Sequence, residues 1–176
     1  MQTDLAVDKI IVQEADFDVA AEYQRLAGDP AIGAVVMFVG RVRDLNPQPE
    51  LVSLHLEHYP AMTAKALQQI VESARERWPL DAVTVIHRVG ALQPAEQIVL
   101  VLTASAHRIA AYAANTYIMD YLKTKAPFWK KEVSAAHSVW VEARESDQEA
   151  QQRWERENDA GCSGIGGGRS APNGGA

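Results

Sequence analysis

The chain has 176 residues, 47% of them hydrophobic, with 17 Lys and Arg against 23 Asp and Glu for a formal net charge of −6. That is one domain, or one domain with an appendage, long enough to bury a core, and its acidic balance speaks against nucleic acid as the main partner, because such binding rests on a broad basic field. No apolar run approaches the roughly 20 residues of a membrane span, and MQTDLAVDKI lacks the basic start and apolar stretch of a signal peptide. Cys162 is the only cysteine, which excludes an internal disulfide and a cysteine zinc site. A reduced, cytoplasmic setting is expected.

In chain order, KIIVQEA (9–15) predicts a first strand, and Asp16 or Asp18 is placed to cap a short helix through about Leu26. GAVVMFVGRVR (33–43) opens on a continuous apolar run, the pattern of a strand buried on both faces. DLNPQPE (44–50), with two prolines, is a loop. LVSLHLEHY (51–59) alternates as a strand does, and two strands across a short loop predict an antiparallel pair. Pro60 then takes a first-turn position, and Met62, Ala66, Leu67, Ile70, Val71, Ala74 and Trp78 follow at helical spacing until Pro79.

AVTVIHRVG (82–90) and QIVLVLTAS (97–105) are strands around a turn at LQPAE. A helix is expected from about Ala106 to Lys125 with Ser105 as its N-cap, then short strands near 128–133 and 138–142. ESDQEAQQRWERE predicts a short helix. A strand followed by three rounds of helix–strand–strand makes the fold α+β with a mainly antiparallel sheet. Residues 1–157 are the expected domain. The Gly/Ser-rich segment 158–176, with Cys162 as a passenger thiol, is the expected disordered tail. Deleting 158–176 is expected to leave activity and melting temperature close to those of the full chain, because the segment has little apolar surface. A large loss of activity would show that the tail has a role of its own.

The acidic chain gathers its lysines in one place. DYLKTKAPFWKKE (120–132) sets Lys123, Lys125, Lys130 and Lys131 around Pro127, Phe128 and Trp129. On a helical wheel Arg108, Tyr112, Asn115, Met119 and Lys123 fall within about 80° of one another. A purely structural face seldom carries an amide and two cations, although a lysine in a last helical turn is also favoured by the helix dipole alone. At the other end Ser105, His107 and Arg108 sit where free backbone N–H groups attract anions. A cation there opposes the dipole, which an anionic ligand would explain and surface tolerance would also permit.

GRVR (40–43) ends a strand with Arg41 and Arg43 pointing the same way, and LEHYP (56–60) brings Glu57 and His58 to another strand end, as a proton-sharing pair or as ordinary surface. His87, mid-strand beside Arg88, reads as structural. No phosphate loop, HExxH, GxSxG or dinucleotide fingerprint is present, so no nucleotide or metal cofactor is expected. The cations Arg43, His107, Arg108, Lys123 and Lys130 suit a phosphorylated small molecule or a carboxylate-bearing partner.

FVGRVR, LEHYPAMTAKAL, RWPLDAVTVIHRVG, SAHRIAA, IMDYLKTKAPFWKKE and WVEARESDQ together resemble the large, catalytic subunits of molybdopterin synthases, over about Lys9 to Trp154. The resemblance implies an α/β hammerhead-like fold. It also implies transfer of two sulfurs to a cyclic pyranopterin monophosphate, giving the dithiolene of molybdopterin in molybdenum cofactor biosynthesis. The implied partners are a small ubiquitin-like sulfur carrier, whose C-terminal Gly-Gly bears a thiocarboxylate, and a second copy of the chain at the centre of a heterotetramer. By resemblance Lys123 and Lys130 are catalytic. Arg43, His107 and Arg108 hold substrate, and Phe38, Met119 and Arg144 line the site.

The residues themselves agree, since sulfur addition needs a donor and this chain offers no suitable thiol. Two other functions fit parts of the sequence. One is a single-stranded nucleic-acid binder using Lys125, Phe128, Trp129, Lys130 and Lys131 as a platform. The other is a non-catalytic docking module for a ubiquitin-like protein, which would have no need of Lys123, Lys130, Arg43 and His107.

Overall fold

A computed structural model describes residues 8–26, 28–43, 51–134, 138–141 and 145–162. The elements run β1 (Lys9–Gln13), α1 (Val19–Gln24), β2 (Ala34–Arg41), β3 (Leu51–His58), α2 (Pro60–Arg77), β4 (Ala82–Arg88), β5 (Gly90–Leu92), β6 (Gln97–Ser105), α3 (Arg108–Thr124), β7 (Phe128–Ser134), β8 (Ser138–Val141) and α4 (Glu145–Cys162). The α+β order read from the sequence is present, with the short β5 added between β4 and β6.

The strands form two sheets, ordered β1-β4-β6-β2 and β5-β3-β7-β8. Among the described residues only β1 with β4 is parallel; the other strand pairs are antiparallel. The expected β2–β3 hairpin does not form, because β2 pairs with β6 and β3 with β5 and β7. The chain crosses between the sheets after β2. Val42, just past that strand, is buried with Leu54, Leu56, Val89 and Leu92, while the middle of β2 lies along β6. Nor is β2 buried on both faces: it is an edge strand, with Met37 45% and Phe38 38% exposed. The fully buried strands are β4 and β6, whose Val83, Val85, Leu100, Val101 and Leu102 are at 0% exposure or, for Ile86, 1%.

Helices α2 and α3 cover the first sheet. Leu67, Ile70, Val71 and Ala74 of α2 meet Ala114, Tyr117, Ile118 and Leu122 of α3 in the main core. Asp18 caps α1, its Oδ1 accepting from Ala20 N at 2.8 Å and Ala21 N at 3.1 Å. Pro60 is at the start of α2 and Trp78 is its C-cap. The N-cap of α3 is His107, not Ser105. Ser105 is buried, and its Oγ donates to Pro79 O at 2.8 Å and accepts from His107 N at 3.3 Å.

Helix α4 docks through Trp154, whose ring meets Trp78 and Tyr117 edge-on at 5.7 and 5.5 Å. It continues through Cys162, five residues past the expected domain boundary at 157; the rest of the expected tail, 163–176, lies outside the described residues.

Candidate active site at the two ends of helix α3

Helix α3 is one unbroken segment with Arg108 as its first residue and Lys123 in its last turn. Both side chains are exposed, as is that of His107. Between them the polar face closes. Tyr112 is 62% exposed, but Asn115 is 5% exposed and its amide donates to Val36 O at 3.2 Å and Val101 O at 3.1 Å. Asn115 therefore fastens α3 to β2 and β6 and is not a ligand for solvent or substrate. Met119 is half-buried against the main core. The cations are left as two separate groups, one at each end of the helix.

The C-terminal group is built on β7. Alternation along that strand sends Phe128, Lys130 and Glu132 to one face and Trp129 and Lys131 to the other. The register supports this: Lys130 faces Leu56 and Phe128 faces His58 on β3, while Lys131 faces Trp140 on β8. Leu56 is buried and Phe128 packs on the same apolar cluster, so Lys130 rises from the core-facing side, its Nζ 3.2 Å from Glu132 Oε1. Lys131 lies over the exposed Trp140 ring at 5.6 Å. The four platform residues on β7 thus divide between two faces, Lys125 lies apart at the C-cap of α3, and Phe128 is not open for stacking.

Phe128 neighbours two imidazoles. Its ring stacks on His87 at 3.8 Å and 14°, and lies 6.2 Å and 29° from His58. His87 is structural, as its place in the strand implies. Burial lowers its pKa to about 4; the Arg88 carbonyl, 2.8 Å from Nδ1, pulls upward, and the His58 ring adds a smaller push down. Glu57 and His58 cannot share a proton within one strand, because consecutive side chains point to opposite faces.

The His87 shift makes a stability prediction. Its folded pKa is below the unfolded value of 6.5, so its contribution is full above pH 6.5 and is lost as the pH falls toward 4. The loss amounts to about 3 kcal/mol. In urea titrations at pH 7 and pH 4, His87→Leu should lose less stability between the two pH values than the parent by that order. Equal losses would refute the assignment.

Arg43 follows Val42, which is buried in the cluster that holds Leu56 and contacts Phe128. The residue before Arg43 and the Phe128 end of β7 are therefore seated on one core. Arg41 is otherwise engaged, donating from Nε at 2.8 Å and Nη2 at 2.6 Å to the carbonyl of Ala95, a residue at φ 73°. Phe38 lies along β2 over Gly40, where an added Cβ would be 3.3 Å from the ring and 2.7 Å from Val99 Cγ1. Arg144 lies outside the described residues.

Sequence reading passed over Asp120, one turn before Lys123. Its Oδ2 accepts from Trp154 Nε1 at 2.8 Å and pairs with Arg153 at 3.4 Å. Helix α4 is thereby fixed to the end of α3 that carries Lys123. No spacing rule reveals this contact, because its partners are 34 residues apart.

A family model described as MoaE protein matches residues 12–125. The chain belongs to the MoaE family. Among its MoaE relatives, the molybdopterin synthase catalytic subunit of Vibrio cholerae is 56% identical over 147 residues, 84% of this chain and 98% of that one. The molybdopterin synthase catalytic subunit of Escherichia coli K12 is 54% identical over 150 residues, 85% of this chain and 100% of that one. The solved structure of molybdopterin cofactor biosynthesis protein E from Burkholderia multivorans superposes with a TM-score of 0.71 at 50% identity, covering 85% of this chain and 97% of that one. The MoaE match includes the whole of α3, with both of its cationic ends. No helix among the described residues is long and apolar enough to cross a membrane.

Proposed function

We propose that this chain is the catalytic subunit of a molybdopterin synthase and works in the cytoplasm. It adds two sulfurs to a cyclic pyranopterin monophosphate, taking each from the C-terminal thiocarboxylate of a small ubiquitin-like subunit. The observation that carries this reading is a MoaE chain with cations at both ends of α3 and a lysine on the adjoining β7. A thiocarboxylate and a phosphate are both anions, and two groups of fixed cations answer them.

In this reading Lys123 and Lys130 are the catalytic residues. They draw the thiocarboxylate toward the substrate carbon, stabilise negative charge as the carbon–sulfur bond forms, and one of them moves the proton. Arg43, His107 and Arg108 hold the substrate; Phe38, Met119 and Arg144 line the site. Once the sulfur is bonded to the pterin, water cleaves the acyl–sulfur bond, so each transfer leaves the sulfur on the pterin and an ordinary carboxylate on the small subunit, and two loaded subunits serve one product. A homodimer of this chain forms the centre of a heterotetramer.

The test is reconstitution. Purified protein, thiocarboxylated small subunit and cyclic pyranopterin should give the dithiolene product. No product from components active with a MoaE relative would refute the reading. A docking module without catalysis would bind the small subunit and yield nothing. Single-stranded RNA and DNA should not bind at low salt, since the two aromatics of β7 lie on opposite faces and Phe128 is stacked on His87, which leaves no continuous stacking surface.

A further inference from the structure

Gly33 immediately precedes β2, and its N–H donates to Ser105 O at 3.2 Å. A Cβ added at Gly33 would lie 2.3 Å from the carbonyl oxygen of Ala106, nearer than side-chain carbons stand to any such atom, and a tight 3.2 Å from its carbon. The backbone of Gly33 is not in the left-handed region, so what the position demands is space. The obstacle is main chain, which cannot swing aside as a long side chain would. Ala106 is followed directly by His107 and Arg108.

The rest of this segment is tied down from other directions. Asp81 N donates to Ala104 O at 2.9 Å, and Ser105 Oγ joins Pro79 O to His107 N. Two separate parts of the chain, at residue 33 and at 79–81, therefore converge on 104–107. The His107 side chain makes no capping bond. Its direction and that of Arg108 are inherited from this backbone.

We propose that Gly33 is a positioning residue for the substrate anion: the missing side chain lets β2 close onto Ala106 and so seats His107 and Arg108 at the start of α3. Gly33 touches no substrate and acts through those two residues. The inference rests on their assignment to substrate binding in the function proposed above.

Steady-state kinetics with thiocarboxylated small subunit test it. Gly33→Ala should raise KM for the pterin roughly tenfold to a hundredfold, the effect of a displacement near 1 Å on a binding group, while kcat falls by less than about threefold. In a His107→Ala/Arg108→Ala background the same change should add less than about twofold, because residues acting through one another are not additive. Ser105→Ala removes the ties to Pro79 and His107 without adding an atom. It should raise KM in the same way, and it serves as the test if Gly33→Ala does not fold. A wild-type KM in the tested variant, or a full multiplicative effect in the double background, would overturn the positioning role. A wild-type KM for His107→Ala/Arg108→Ala would remove the substrate-binding assignment itself, and the inference with it.

Discussion

Lys123→Ala is expected to lower turnover by more than about a hundredfold, the scale of losing a charge-stabilising group aimed at the reacting atoms, while the protein stays folded. Lys123 is exposed in the last turn of α3, and the helix is anchored beside it by the buried Leu122 and Ile118. Replacing an exposed side chain away from caps and core changes stability by only about 0.5 kcal/mol, so the melting temperature should hardly move. Lys130→Ala should be similarly impaired. It gives up the contact with Glu132, but β7 keeps its ladders to β3 and β8 and its Phe128 anchor.

Lys125→Ala is the control. Lys125 is exposed at the C-cap of α3, about 200° around the helix from Lys123, and its loss should be mild. Lys123→Arg separates two roles. Arginine keeps the positive charge but does not give up a proton, so substantial activity in that variant would make Lys123 an electrostatic group. An inactive Lys123→Arg would make it the proton carrier. Product formation per minute, beside thermal unfolding of each variant, reads all four. An unfolded Lys123→Ala, or one with full activity, would sink the assignment of this lysine.

Local pattern was a good guide wherever one residue type sets a local geometry. Pro60 opened α2, Asp18 capped α1, and the alternation in β3 and continuous apolar runs in β4 and β6 marked strands that are there. It failed where the partner is distant. Nothing in 33–59 tells β2 to leave β3 for β6, because strand choice depends on which long apolar strand needs covering. Asn115 fell on the polar side of a wheel, yet its amide satisfies carbonyls of β2 and β6 from within the core, and a wheel carries no knowledge of either strand. The same limit hid the Trp154–Asp120 bond. The cations at the helix ends were legible because their spacing lies within one helix, and helix geometry converts spacing into distance.

That distance carries the second large prediction: Arg108→Ala and Lys123→Ala proteins, each weak alone, should regain activity when mixed and allowed to exchange subunits. Arg108 and Lys123 are fifteen residues apart on an unbroken helix, about 22 Å along its axis at 1.5 Å per residue. A pterin monophosphate spans roughly half of that, and a hydrogen bond adds only about 3 Å at each end. The buried Asn115 leaves no continuous polar track between the two groups along the helix. One copy cannot place both on one substrate. Two copies related by a twofold axis can, if the His107–Arg108 end of one meets the Lys123–Lys130 end of the other, and twofold contacts are the commonest in homo-oligomers. In a mixed dimer one site then carries both substitutions and the other carries neither. With random exchange half of the dimers are mixed, so about a quarter of all sites are intact and activity per chain should approach roughly a quarter of the parent value. Exchange is confirmed separately by mass spectrometry of differently tagged chains. If exchange is complete and activity stays at the level of the separate variants, each copy works alone and the shared site is wrong.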